Sequence, residues 1–152
     1  MTPRLVVWAA PLGRVLLSLI FLLSAASKLQ GWQGTVQVLA DKGLPAPEAL
    51  LSVAVGLELV GGVMLVLGLF ARWGAVALLL FIVPVSVIMH NFWALPEGEQ
   101  RMGEMISFMK NFTIAGGLLF VLAMGAGPVS IDALRRKKRA GPATPVDPVV
   151  PS

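Results

Sequence analysis

The sequence predicts an all-α membrane protein: an antiparallel bundle of four transmembrane helices with short helices at its outer interface. Hydrophobic residues make up 57% of the 152-residue chain and charged residues only 13%, whereas a soluble domain carries about 25% charged residues. So few charges cannot cover a surface that faces water. The apolar residues also form continuous runs, and since lipid satisfies no backbone polar group, such runs predict helices rather than alternating strands.

Four segments are long and apolar enough to cross about 30 Å of hydrocarbon. They cover residues 11–28, 47–70, 73–92 and 111–125. The fourth is the shortest, but apolar residues between positions 102 and 109 recur at helical spacing, which predicts that its helix begins earlier. The first segment has an alternative interpretation, because Arg4, the apolar stretch and Ser24-Ala25-Ala26 resemble a cleavable signal peptide. Arg14 interrupts that stretch and cleavage would leave three spans, so we expect an uncleaved helix.

The connections between the spans differ in kind. Apolar residues from Trp32 to Leu39 share one helical face, and Gly43 and Pro45 form a stop signal, so residues 30–42 are predicted to form an amphipathic helix at the outer interface. The inner turn at Ala71-Arg72 allows only a tight hairpin. Glycine pairs occur in the second and fourth spans, in similar surroundings that leave open a duplicated two-helix unit. Both pairs predict close contact between helices: Gly61, Gly62, Gly116 and Gly117.

The basic residues predict the orientation in the membrane. Of 12 lysines and arginines, eight fall on the side of the termini, which favours cytoplasmic termini by the positive-inside rule. Arg14 and Arg72 are expected to mark the inner interface. We divide the chain into a transmembrane domain, residues 1–132, and a basic, then proline-rich tail, residues 133–152, expected to be disordered. The basic cluster in this tail is expected to attract anionic lipid rather than nucleic acid.

Glu58 lies near the middle of the second apolar run, where a carboxylate is costly and needs a partner or a task. Polar residues at the ends of the other runs are Lys28, His90, Lys110 and Asn111. A helix rises about 1.5 Å per residue, which puts one such group from each span in the outer half of the bundle. We therefore predict that Glu58 pairs with Lys28, with His90 and Lys110 close above.

These five residues are candidates for ligand binding or for relaying a proton, and each also has a structural interpretation. Lys28 can extend to the interface, His90 can anchor the third helix, and Lys110-Asn111 can cap the fourth. Methionines near His90 raise copper as an alternative, but such methionines usually serve packing. The chain has no cysteine, and we find no haem, flavin or metal motif. The catalytic residues and the cofactor therefore stay unassigned, with a quinone as the candidate cofactor.

The chain resembles the DoxX/DoxD family of small four-helix membrane proteins over residues 12–132. No single motif is diagnostic, but the order and spacing of the motifs together are fairly specific. The motifs that carry the resemblance are Ser27-Lys28-Leu29, Gly43-Leu44-Pro45, Glu58-Leu59-Val60-Gly61-Gly62, His90-Asn91-Phe92-Trp93 and Met109-Lys110-Asn111. The resemblance implies a multi-pass protein of the bacterial cytoplasmic membrane, surrounded by lipid, and a partner in a membrane redox assembly or a homo-oligomer.

Several functions follow from this combination. In the first, the protein is a subunit or partner of a redox system and binds a quinone or a small sulfur species in the outer half of the bundle. Lys28 or His90 would donate a hydrogen bond and Glu58 would accept a proton. In the second, the protein is a non-catalytic scaffold of a redox or stress-response complex. A proton-coupled transporter is a third alternative, which would need several copies to enclose a path.

The topology yields the first testable prediction. A reporter enzyme fused to the C-terminus should be active only in the cytoplasm, because the charge bias places both termini there. The matched control is a fusion after residue 97, in the loop between the third and fourth spans, which should report the opposite side. A C-terminal reporter that is active outside the cytoplasm would overturn this topology.

Overall fold

A computed structural model describes residues 3–139 of the chain. The described part contains six α-helices, a single 3₁₀ turn at Phe92–Ala94 and no strand. The helices are α1 (Pro3–Gln30), α2 (Trp32–Asp41), α3 (Pro47–Leu67), α4 (Ala71–Met89), α5 (Glu99–Met124) and α6 (Ile131–Arg139). Four of them, α1, α3, α4 and α5, are long and apolar enough to span a membrane. The predicted fold class, including the earlier start of the fourth span, is confirmed.

The four spans form an antiparallel bundle in which α3 is one of two inner helices. It packs against both α1 and α4, and α4 packs against α5, whereas α1 and α5 meet over a much smaller contact. The main core lies between these helices and includes Phe21, Leu65, Leu78 and Leu118. Large apolar side chains also cover the outside of the bundle, which is the surface expected where lipid replaces water.

A tight reversal joins α3 to α4. Gly68 takes the left-handed conformation with φ +61°. The N–H groups of Gly68 and Leu69 donate hydrogen bonds to the carbonyls of Leu65 and Met64 in the last turn of α3. Phe70 is also left-handed, with φ +49°, and α4 begins at the next residue. Glycine is favoured at such a C-terminal position because it has no Cβ to clash. This geometry produces the short hairpin expected from the sequence.

The glycine pairs are not equivalent in the structure. A Cβ on Gly61 would stand 2.7 Å from Leu78 Cγ and 3.1 Å from the Gly74 carbonyl oxygen, so α3 and α4 touch there through their backbones. Gly62 meets Leu22 of α1 at a similar distance, and Gly117 faces Leu17. Gly116, in contrast, has no atom within 4 Å of its Cβ position. Only one glycine of the second pair therefore faces a neighbouring helix.

The two ends of the bundle are each covered by a short helix. At one end, Trp32, Val36 and Leu39 of α2 pack on a small core cluster formed by Ala25 of α1 with residues of α3. We call this the α2 end. The opposite end, where α1 begins and α5 finishes, carries α6 and is called the α6 end.

The basic cluster differs from its predicted state. It forms α6 instead of belonging to an unstructured tail, because Asp132 attaches this helix to the α3–α4 turn. The Asp132 carboxylate accepts hydrogen bonds from the N–H groups of Phe70, at 2.9 Å, and Ala71, at 3.0 Å. The Asp132 N–H in turn donates to the Gly68 carbonyl at 3.0 Å. The proline-rich part of the predicted tail, residues 140–152, lies outside the described residues.

The unequal glycines yield a prediction about stability. Gly61→Ala should lower the free energy of unfolding in detergent by about 1–3 kcal/mol, because Leu78 and the α4 backbone leave no room for a methyl group. Gly116→Ala is the matched control and should be neutral or slightly stabilising, since its Cβ enters open space and alanine favours helix. Equal effects of the two substitutions on the melting temperature would contradict the packing described above.

Candidate functional site

A buried ion pair joins α1 to α3. Glu58 is completely buried, at 0% exposure, while the Lys28 side chain retains 23%. Lys28 Nζ lies 3.0 Å from each Glu58 carboxylate oxygen and donates to both. It also donates to the Ser24 hydroxyl, one helical turn earlier on α1. The pair expected from matched depth is thus present, and Ser24 completes it.

Aromatic rings form part of the wall around this pair. The Phe81 ring, from α4, has its centroid 5.3 Å from Lys28 Nζ, within the range of a cation–π interaction. Phe21 packs edge-on against Phe81 with 6.3 Å between centroids. An ammonium group has three N–H donors, and Glu58 and Ser24 account for all three here. The result is an ion pair of opposite charges in which every N–H donor of Lys28 already has an acceptor.

His90 does not contact this pair and has a different partner. Its Nδ1 lies 2.7 Å from a carboxylate oxygen of Glu104, which links the end of α4 to the first half of α5. Lys110, predicted to lie above the pair, is exposed and makes no hydrogen bond or ion pair with any described residue. The predicted position of Lys110 above the ion pair is therefore wrong. Lys110 and the buried Asn111 are consecutive on α5, so their side chains point about 100° apart around the helix.

Glu104 was missed by the sequence analysis, although a signal for it existed. Glu104, Asn111 and Leu118 are spaced by seven residues, which places them on one face of α5. Asn111 and Leu118 are both buried on that face. The heptad spacing could therefore have identified Glu104, rather than Lys110, as the acid or base that faces the bundle.

Asn111 lies in a groove between α4 and α5 with a volume of about 660 Å³. Asn111 is only 9% exposed, and its amide makes no hydrogen bond to another described side chain or backbone group. Ser86 supplies the second polar side chain of the groove, but its hydroxyl donates to the Ile82 carbonyl of its own helix at 2.6 Å. The remaining lining is apolar and includes Leu80, Val83, Val87, Phe108 and Phe112.

The two arginines expected at the inner interface occupy different environments. Arg72 is exposed, and its Nη2 donates to the Ala123 carbonyl at 3.0 Å. Arg14 is only 4% exposed and lies inside the bundle, beside the α3–α4 turn. Its guanidinium reaches the Val129 carbonyl at 2.6 Å through space left by Gly68, where a Cβ would lie 1.8 Å from Arg14 Nη1. Arg14 therefore ties α1 to the segment that follows α5.

The described part of the chain holds no group of three or more histidine, cysteine or acidic side chains placed to ligate an ion. His90 and Glu104 form a pair, and of the nearby methionines Met102 and Met109 are exposed while Met89 and Met105 are half-buried. The polar groups described here are the Lys28–Glu58 ion pair, the His90–Glu104 pair and the Asn111 amide.

Four apolar spans around a buried lysine–glutamate pair define the chain as a multi-pass membrane protein with an internal polar site. The DoxX family model matches residues 9–91, which contain both members of that pair. The chain belongs to the DoxX family.

Named relatives agree with this assignment. The chain is 35% identical to the inner membrane protein YphA of Escherichia coli over 121 residues, covering 80% of the chain and 86% of the relative. It is 32% identical to the inner membrane protein YqjF of the same organism, covering 82% and 90%. CatD of Bacillus subtilis, named provisionally as an oxidoreductase, is 41% identical over 59 residues, covering 39% and 42%. No solved structure gives a significant match.

The ion pair yields a prediction that a double-mutant cycle can measure. Lys28→Met should lower the free energy of unfolding by about 3–5 kcal/mol, because it leaves the Glu58 charge buried without a partner. Glu58→Gln should cost less, since Lys28 can extend its ammonium toward water. The double variant should recover part of the loss.

Lys110→Met is the matched control for the loss of a lysine charge, because Lys110 is exposed and unpaired within the described chain. It should change the unfolding free energy by less than about 0.5 kcal/mol. Thermal unfolding in detergent measures all four variants against the wild type. Strictly additive losses for Lys28 and Glu58 would show that the two charges do not stabilise each other.

Proposed function

We propose that the protein is a membrane-embedded component of a redox system, and that it binds a carrier of the quinone class in the groove between α4 and α5. The observation that carries this proposal is Asn111. Asn111, a residue that is only 9% exposed and whose amide makes no side-chain hydrogen bond within residues 3–139, lines a groove that is apolar apart from Ser86. A buried polar group costs free energy unless it is hydrogen-bonded, so this amide is suited to a ligand that completes its bonding.

The chemistry of the groove fits a quinone better than a small sulfur anion. A quinone has a flat apolar ring with two carbonyl acceptors, and Asn111 can donate to one of them through its NH₂ group. Leu80, Val83 and Phe112 line the groove and are more than half exposed on the outside of the bundle. A ligand dissolved in lipid can therefore reach the groove from the side. An anion would lose its hydration there without meeting a cation among the lining residues.

Reduction of a quinone to a quinol takes two electrons and two protons, and the described residues can supply a path only for the protons. The electrons would come from a partner redox protein. His90 and Glu104 lie on the same side of the α4–α5 interface as Asn111, with Glu104 about 10 Å along α5 from it. A histidine paired with a carboxylate can pass protons near neutral pH. In this proposal the His90–Glu104 pair relays protons, so that Glu104 takes the role of proton acceptor that the sequence analysis gave to Glu58.

The Lys28–Glu58 pair has a supporting role in the same proposal. All three donors of Lys28 are engaged by Glu58 and Ser24, so none is free for a ligand carbonyl. The pair instead holds α1 against α3 and so positions α4, whose Phe81 packs on Lys28. The provisional naming of CatD as an oxidoreductase supports the redox class, over the 59 residues that align.

A second candidate function is a non-catalytic membrane scaffold for a redox or stress-response complex. The ion pair favours the scaffold function, because all donors of Lys28 are engaged by Glu58 and Ser24. Such a pair stabilises the bundle without offering a reactive group. The two candidates differ in whether the groove holds a ligand. They therefore make opposite predictions about what accompanies the purified protein.

The test is extraction of quinone from protein purified in mild detergent from quinone-rich membranes. The proposal predicts bound quinone near one per chain, and Asn111→Leu should weaken its binding by about tenfold, the worth of one buried hydrogen bond. Thr113→Val is the matched control, because Thr113 is exposed on another face of α5 and its hydroxyl bonds only to the Met109 carbonyl. Equal quinone in both variants would contradict the site, and quinone-free wild-type protein would favour the scaffold.

A further inference from the structure

A second cavity, independent of the proposed redox role, lies at the α6 end of the bundle. It has a volume of about 740 Å³ and is formed by the beginning of α4, the end of α5 and α6. Its lining combines cationic side chains with apolar ones. We call it the basic pocket, and its lining is Phe70, Arg72, Met124, Gly125, Ala126, Asp132, Arg135, Arg136, Lys138 and Arg139.

The basic pocket has a defined geometry because α6 is held in place. Asp132 bonds to the first N–H groups of α4 at 2.9 and 3.0 Å, so the cations that follow it occupy defined positions. The Arg135 guanidinium lies over the Phe70 ring, 4.8 Å from its centroid. This stacking fixes one face of the guanidinium and leaves its N–H donors at the edge for another partner.

The charge in the basic pocket is not balanced by the described residues. Asp132 is the only acid in the lining, and both of its oxygens accept backbone hydrogen bonds. Within residues 3–139, the four cations of α6 that line the pocket make no salt bridge or hydrogen bond. Arg72 uses one donor on the Ala123 carbonyl, and a guanidinium has five. The pocket therefore offers many unused donors to an anion.

Apolar side chains beside these donors indicate what kind of anion fits. Phe70 is 52% exposed and Met124 is 69% exposed, and both lie where the spans end. Leu134 of α6 is 62% exposed as well. A free inorganic anion would gain nothing from such surfaces. A molecule with a phosphate head and acyl chains would satisfy both, because its head and its chains meet at this depth of the membrane.

We propose that the basic pocket is a binding site for an anionic phospholipid. The phosphate lies between Arg72, Arg135 and Arg139, and the acyl chains run along Phe70 and Met124 on the outside of the bundle. Arginine is suited to this role because its planar fork of donors matches two phosphate oxygens at once. The bound lipid joins α6 to α4 and α5 in addition to the Asp132 contacts, so it should stabilise the folded chain.

The test compares lipids by their effect on thermal unfolding of the full chain in a neutral detergent. Phosphatidylglycerol should raise the melting temperature in a saturable manner, while phosphatidylcholine and inorganic phosphate should not. Arg139→Gln and Arg135→Gln should each weaken the apparent lipid affinity by about tenfold, as expected for a hydrogen bond to a charged group. Arg139 is the cleaner probe, since within residues 3–139 it makes no hydrogen bond, ion pair or cation–π contact that its loss would break, whereas Arg135 stacks on Phe70.

Lys137→Gln is the matched control. Lys137 belongs to the same run of five cations but does not line the basic pocket. It should alter the affinity far less than Arg139→Gln does. Equal losses would mean general attraction to a charged surface and would overturn the site. A shift of the same size with inorganic phosphate would overturn the lipid assignment, and native mass spectrometry that finds no retained phosphatidylglycerol on the wild-type chain would do so as well.

Discussion

The ion pair between Lys28 and Glu58 is the interaction on which the interior of this bundle depends. A charge in the middle of a membrane span is costly even on lenient insertion scales, at about 2.5–3.5 kcal/mol. Here the cost is offset by three hydrogen bonds and a facing aromatic ring contributed by three different helices. Because the carboxylate is completely buried, α1 and α3 can separate only by exposing it to lipid. The pair therefore specifies which helices are neighbours and at what height.

Close helix contact is the condition that lets this pair form. Gly61 and Gly62 follow Glu58 by one turn on α3, and they allow α4 and α1 respectively to approach the α3 backbone. Larger residues there would move both helices outward and lengthen the distance from Lys28 to Glu58. The order of these residues along α3 thus couples backbone packing to charge pairing. In lipid, where no hydrophobic force drives helices together, packing and polar bonds must supply the association energy.

The polar groups lie at different positions along the bundle, and each position corresponds to a different suggested role. The saturated pair lies inside the bundle and serves its stability. The Asn111 amide opens into a groove that faces the lipid, with the His90–Glu104 pair farther toward the α2 end. The cations of α6 that make no ion pair within residues 3–139 lie at the α6 end, beside exposed apolar side chains. A lipid-soluble carrier and an anionic lipid can therefore occupy separate sites on one small protein.

The sequence by itself determined the class of protein, the four spans, the amphipathic α2 and the partnership of Lys28 with Glu58. These follow from one-dimensional quantities, namely apolar run length, helical spacing and rise per residue, and lipid leaves the backbone no alternative to helix. The tertiary structure alone decided which residues face one another around the helices. It turned Lys110 outward and Glu104 toward His90, buried Arg14 against the loop after α5, and left Gly116 without a neighbour. It also ordered the basic run as α6, through a contact between Asp132 and the start of α4. Height along a helix can be counted from the sequence, but rotation about its axis and contacts between distant segments depend on how all the helices pack.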